Sequence, residues 1–276
     1  MTVLSDVDIQ RKLGKNIIIY PYRNNNLKGA SYNLRASKLA WDLSTKQSIY
    51  DKSRNRIIIP PRTTALIETY ETIWVSQKIC GTYHSKVYPV SRGTGHIGTT
   101  LDPNYKGLSL IAVHNHSDKE VTFIPEDPED SFVTLTFHYV YTPSSIEEHG
   151  NLSGRRPILS KLGINPTEEE ERFLNADFRN IRQAMKKEME KCKDFKAIER
   201  ERESQVQKFS LQKLYIGLAI ITLALIFIAA FLSSQRIDLE QLPWYKPVTF
   251  TIEKSIEAIA VVWITLITNR ILNQPK

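Results

Sequence analysis

The sequence has only two cysteines, Cys80 and Cys192, far apart in a chain of 276 residues. No disulfide framework follows, and a reducing compartment fits. There is no C-x-x-C pair and no H-x-E pattern, so neither a zinc site nor a zinc-dependent deaminase is expected. Glycine (11) and proline (13) are scarce while 41% of residues are hydrophobic, which excludes collagen-like and wholly disordered chains. No dense basic block exists either. Lys and Arg number 37 against 30 Asp and Glu, and the net +7 is spread out, so no nucleic-acid polymer is expected as a partner. The start, Met1-Thr2-Val3-Leu4-Ser5-Asp6, lacks a basic region followed by an apolar run, so no secretory signal is expected.

What is present divides in three. Ser5 is suited to cap a short helix over Asp6–Leu13, with acids in its first turn. From Asn16 to about Thr142 the pattern is that of strands. Runs of β-branched and aromatic residues recur at Ile17–Tyr20, Ile57–Ile59, Ala65–Thr69, Leu108–Val113, Val121–Ile124 and Phe132–Tyr141. Turn residues such as Asn24-Asn25-Asn26, Pro60-Pro61 and Asp102-Pro103-Asn104 separate them. The run Phe132–Tyr139 alternates poorly and reads as buried on both faces. Short strands without helical interludes predict a compact barrel or sandwich.

Asn165-Pro166 then opens a helix, with Asn165 as cap, Pro166 at the first position and Glu168–Glu171 in the first turns. Neither Pro nor Gly recurs until Gly217, so one long helix is expected. Phe178, Ile181, Met185, Glu188, Cys192, Phe195, Glu199, Arg202, Val206 and Phe209 form a heptad seam in it, mostly apolar, which suggests a self-associating stalk. Leu214–Leu232 carries no charge and predicts a membrane span. The apolar segment Ala258–Thr268, extended to 248–272, reads either as a second span or as an interfacial helix; the span is favoured, with Trp244-Tyr245 at the far interface. Glu253 and Glu257 share one face of it. Lys and Arg are dense before the first span and sparse after it, which places the N-terminal domain in the cytoplasm.

The residues richest in chemistry lie between Lys86 and Asn115. Ser91-Arg92-Gly93-Thr94-Gly95 can offer N–H groups and a guanidinium to a phosphate. Asp102 before a turn can order a water or a hydrated metal. Read alone, Asp-Pro-Asn-Tyr is equally an ordinary turn. His114 and His116 flank Asn115 on one strand face without a third ligand nearby, and read as surface residues.

Order and spacing sharpen this. Leu4-Ser5-Asp6-Val7-Asp8-Ile9 resembles the first helix of the dCTP deaminase family, in the dUTPase superfamily. Gly29-Ala30-Ser31-Tyr32-Asn33-Leu34-Arg35 resembles its first motif, usually Ala-Ser-x-Asp-x-Arg. Gly98-Thr99-Thr100-Leu101-Asp102-Pro103-Asn104-Tyr105-Lys106-Gly107 is similar to its Ile-Asp-Pro-x-Tyr-x-Gly motif, with Asn115 following as expected. Asn151-Leu152-Ser153-Gly154-Arg155-Arg156-Pro157 is similar to its closing segment.

The resemblance implies an all-β N-terminal domain, a dUTPase-like distorted β-barrel or jelly roll, assembled as a homotrimer with nucleotide sites shared between subunits. The full expectation is this nucleotide-binding domain over 1–160, a coiled-coil-like α-helical stalk over 161–213 and C-terminal transmembrane helices over 214–276. It also implies candidate nucleotide-binding residues: Asn33, Arg35, Lys86, Arg92, Asp102, Tyr105, Asn115, Arg155 and Arg156, with Mg2+ entering through the phosphates. Family deaminases activate water with a glutamate in the strand after the third motif; that position here is Ala112. Losing a general base costs about 10²- to 10⁴-fold. Ser85-Lys86-Val87-Tyr88 stands where Gly-Arg-Ser-Ser is usual, and Asn33 replaces an aspartate. The expectation is a membrane-attached protein that binds a pyrimidine deoxynucleotide, has lost deamination and transmits ligand state to membrane helices, for instance as a pore lined by Glu253 and Glu257 in phage defence. The alternatives are a dUTP or dCTP hydrolase using Asp102, and a non-catalytic trimeric scaffold.

Overall fold

The computed structural model of the chain describes residues 2–96, 98–146, 153–234, 243 and 245–272. Asn151, Leu152 and Trp244, which the sequence reading used, lie outside them, as does the side chain of Glu253.

Helix α1 (Asp6–Lys12) starts at a capping box: Ser5 accepts from the Asp8 N–H while the Asp8 side chain returns to Ser5. Nine longer strands follow: β1 (Ile17–Tyr20), β2 (Ser31–Asp42), β3 (Arg56–Ile59), β4 (Thr64–Thr69), β5 (Thr72–Val75), β6 (Ile79–Ser85), β7 (Leu110–Asn115), β8 (Val121–Phe123) and β9 (Ser131–Tyr139). The main sheet is antiparallel and runs β7-β4-β2-β9-β6, with Thr94–Gly95 on the β7 edge and Thr100–Leu101 on the β6 edge. Two small sheets, one of Lys106–Gly107, β5 and β1, the other of β8, β3 and Tyr50–Asp51, complete the all-β domain.

β9 differs from its two-faced reading: Val133, Leu135 and Phe137 are buried and their neighbours Thr134, Thr136 and His138 are only half-buried. A register shift between Ser131 and Val133 puts a bulge at its start, which masked the alternation. The strands β2, β5 and β6 were not read from the sequence.

The single helix expected from Asn165 is four: α4 (Glu168–Asn175), α5 (Asp177–Asn180), α6 (Arg182–Lys191) and α7 (Lys193–Ser234), after a short α3 (Arg156–Lys161). The cap is Thr167 rather than Asn165, in a box with Glu170. Extended backbone at Ala176, Ile181 and Cys192 interrupts the path. The cause is tertiary. Met185, Met189, Phe195 and Ile198 are buried in the core of the β-domain, so seam positions pack on the barrel. Met189 Sδ accepts from the Ile19 N–H at 3.4 Å, and a Cβ on Gly14 (φ +77°) would stand 3.1 Å from the Phe195 ring. Burying these side chains outweighs the modest propensity for an unbroken helix.

Compact units divide at Glu199 and Arg200. In the second unit α7 meets α8 (Tyr245–Leu272): Tyr215 stacks on Trp263 at 5.9 Å, and Trp263 Nε1 donates to Thr222 Oγ1 at 3.3 Å.

The membrane expectations are corrected. Among the described residues no helix is long and apolar enough to cross a membrane. In α8 a Lys254–Glu257 ion pair at 2.6 Å interrupts the apolar face. The transmembrane spans at 214–232 and 248–272, the bilayer partner, the membrane localisation and the pore all fall with that.

Candidate functional site

Two places gather the candidate residues. The first is a polar cleft of about 590 Å3 where Asn33 of β2 and Lys86 meet Asn24–Asn26, Lys28, Glu129 and Ser131. Lys86 donates to Ser131 Oγ, and burial, with Lys28 nearby, pushes its ammonium below the usual lysine range. Asn26 Nδ2 donates to the Asn33 carbonyl at 3.1 Å, which fixes the loop carrying the three asparagines. Two ammoniums and several amides on one wall suit a polyanion. They do not suit a protein-held Mg2+, because among the described residues Glu129 is the one carboxylate lining the cleft. Among the described residues no group of three or more His, Cys, Asp or Glu could hold a metal. His114 and His116 do share a face, with rings 5.7 Å apart.

The second place joins Tyr105 and Arg155. They line a cavity of about 10 Å3 with Tyr83 and Ser109, room for about one water. The Tyr105 hydroxyl donates to the Leu108 carbonyl, and burial raises its proton affinity, with Glu68 adding to the rise. Tyr83 shares a short hydrogen bond with Ser109. Asp102 precedes this turn, half-buried, with Thr100 Oγ1 donating to it at 3.4 Å. Asn104 at φ +63° closes the turn, so that the Tyr105 N–H reaches the Asp102 carbonyl at 3.2 Å.

The other candidates are engaged within the chain. Arg35 is buried, its Nε 2.6 Å from Glu71, its guanidinium also on the Glu126 carbonyl and over the Tyr70 ring. Asn115 donates to the carbonyls of Ile59, Pro60 and Lys119 and accepts from Ser117, which staples the loops around the end of β7. Arg92 donates to the Thr122 carbonyl at 3.3 Å. Arg156 pairs with Glu171 at 3.4 Å.

Ala112 of β7 lies in a second apolar cluster with Leu66, Leu159, Ile164 and Leu174, so α3 and α4 cover the strand face that carries it. Under the same cover lies a residue the sequence reading passed over. Glu68 of β4 is fully buried with both carboxylate oxygens unpartnered, and burial pushes it up to about 8 against the pull of Arg179 and Arg155. A charged residue inside the apolar run Ala65–Thr69 was the available signal. Arg179, also missed, is buried over the Phe173 ring at 3.7 Å and donates to Thr72 Oγ1 at 3.2 Å. Burial lowers it to about 10.

No family model matches the chain. It is 30% identical over 151 residues to a dCTP deaminase from Pyrococcus abyssi, covering 54% of this chain and 95% of that protein. It is 29% identical over 154 residues to one from Thermococcus sibiricus, covering 55% and 96%. Solved structures resembling it include a dCTP deaminase from Agrobacterium tumefaciens (TM-score 0.40, 10% identity, 49% of this chain and 48% of that one). Another is a mutant dUTPase from phage phi11 of S. aureus with a structural Mg(II) ion (TM-score 0.33, 16% identity, 49% and 99%).

Proposed function

The chain belongs to the dCTP deaminase family, and from that premise we propose that residues 1–160 bind a pyrimidine deoxynucleoside triphosphate, as a homotrimer, without deaminating it through position 112. Nucleotide processing is the family-level function; ligand, assembly and reaction outcome are our reading. The observation that carries it is the cleft of Asn33, Lys28 and Lys86, which offers a triphosphate two cations and a wall of amide donors. Any Mg2+ arrives on the phosphates. Ala112 has no acid–base group, and it packs among Leu66, Leu159 and Leu174.

A second reading, a phosphohydrolase, is favoured by Asp102, a half-buried residue whose carboxylate has one long hydrogen bond among the described residues. Incubating the chain with dCTP or dUTP and Mg2+, while following ammonia, pyrophosphate and nucleoside monophosphate, separates the two. Binding without any product is expected. Pyrophosphate release abolished by Asp102→Asn replaces the first reading with the second. Ammonia release overturns the claim about position 112, and absence of binding leaves only a scaffold.

A further inference from the structure

Glu68 is a fully buried carboxyl that the polar cleft of Asn33 and Lys86 does not use. It has no exposed surface, and among the described residues neither oxygen meets a donor. An orphaned buried carboxyl in a native fold calls for a physical reason. The strand ladder indicates one. β4 pairs with β7 in the register Leu66 opposite Ala112 and Glu68 opposite Leu110. Alternate residues share a face, so Glu68 and Ala112 stand on the same side of the sheet as diagonal neighbours, with Cα atoms roughly 7–8 Å apart. The chain that carries a methyl group at 112 carries a carboxyl one ladder step away.

We propose that the Glu68 carboxyl reads the hydrogen-bonding edge of the pyrimidine base in this site. The inference rests on the nucleotide-binding reading and deepens it. A protonated carboxyl presents one O–H donor beside one acceptor. Cytosine shows a ring-nitrogen acceptor beside an amino donor, and uracil an N–H donor beside a carbonyl acceptor; both edges complement it. An ionised carboxylate accepts only, so it would set lone pair against lone pair at one position of either base. With the group pushed up to about 8, the donor proton is in place at neutral pH. The titratable and charged groups around it are Tyr105 from the turn after Asp102, Arg155 beside α3 and Arg179 of α5. The Arg156–Glu171 pair joins α3 to α4 above them.

The place in front of the carboxyl is held by Gly154 (φ +73°). A Cβ there would meet Glu68 Oε1 at 2.8 Å and Leu174 Cδ2 at 2.7 Å. The backbone of Gly154 therefore stands against the carboxyl, and base entry requires Ser153–Arg155 to shift.

Calorimetry of the full chain with α,β-imido analogues of dUTP and dCTP tests this at about pH 7 and about pH 9.5, either side of the Glu68 value. The wild type is expected to bind at the lower pH and to lose affinity at the higher. Glu68→Gln keeps a donor beside an acceptor, so it should bind while losing about tenfold less on alkalinisation, the worth of one hydrogen bond. Loss that remains in that variant belongs to other groups, such as Lys86. Glu68→Leu should bind at least about tenfold more weakly at pH 7. Equal alkaline losses in wild type and the glutamine variant overturn the role of Glu68, as does full affinity in the leucine variant. Should the leucine variant not fold, the glutamine pH profile decides by itself. A wild type that binds neither analogue overturns the nucleotide reading, a separate failure.

Discussion

Glu68 near the end of β4 and Glu71 in the bend before β5 lie three residues apart, both without exposed surface, and their surroundings are opposite. Glu71 Oε1 accepts from Arg35 Nε at 2.6 Å and Oε2 from the Arg35 N–H at 2.8 Å. Burial raises its proton affinity, and Arg35 pulls it back. Glu68 has no such partner and faces the backbone of Gly154. A buried charge that serves the fold is met by donors at each oxygen. A buried acid left bare lowers stability, and local violations of this kind concentrate where a ligand is handled.

That contrast has measurable consequences. Arg35→Met should show the largest, because it strips the partner from a buried carboxylate; about 3–5 kcal/mol of stability is expected to go in urea unfolding. A loss under about 1 kcal/mol would mean that Glu71 is no better served than Glu68. Glu68→Gln should do the reverse. Its folded value near 8 exceeds the ordinary 4.5, so the folded chain holds a proton the unfolded chain releases. The stabilisation this gives is complete below about pH 4.5, declines as pH rises and is gone above about 8. The wild type should lose on the order of 2–4 kcal/mol between about pH 5 and 8 that the glutamine variant keeps. Parallel pH–stability curves would erase the difference between the two acids. Asn115→Ala tests a polar group of the satisfied kind on β7. It leaves the carbonyls of Ile59, Pro60 and Lys119 without their donor, for about 1–3 kcal/mol in the same assay.

Sequence patterns reached the satisfied groups more readily than the bare one. Ser5 with Asp8 was legible as a capped helix, and the turn from Asp102 to Gly107 and the position of Asn115 were legible as motifs, because each depends on neighbours close in the chain. Asn115 is marked by the motif as a ligand residue, and the contacts its amide makes within the chain, to loops distant in sequence, are not legible from the motif. Glu68 left only the signal of an acid inside an apolar run, because its surroundings arrive from Gly154, Leu174 and Arg179, far along the sequence. The stretch after Asn165 was misread for a related reason. Lack of Pro and Gly permits a continuous helix, but the apolar surface of the barrel draws Met185, Met189 and Phe195 inward, and the chain bends at Ala176, Ile181 and Cys192 to deliver them. In α7, hydropathy alone suggested a span, and among the described residues no helix is long and apolar enough to cross a membrane.

The smallest effect should come from the pair Arg156–Glu171, which sits on the cover above Glu68. It has the same chemistry as Arg35–Glu71, but its oxygen lies 3.4 Å from the guanidinium and its side chains are 24% and 38% exposed. Water and salt screen such a pair, so a double-mutant cycle of Arg156→Ala and Glu171→Ala should return a coupling of about 0.2–1 kcal/mol. The cover would then be held by Leu159, Ile164 and Leu174 packing on Leu66 and Ala112, a contact indifferent to salt that a ligand must displace as apolar area. A coupling above about 2 kcal/mol would make the cover an electrostatic clasp. In that case raising the salt concentration, rather than a base competing for Glu68, would open the site.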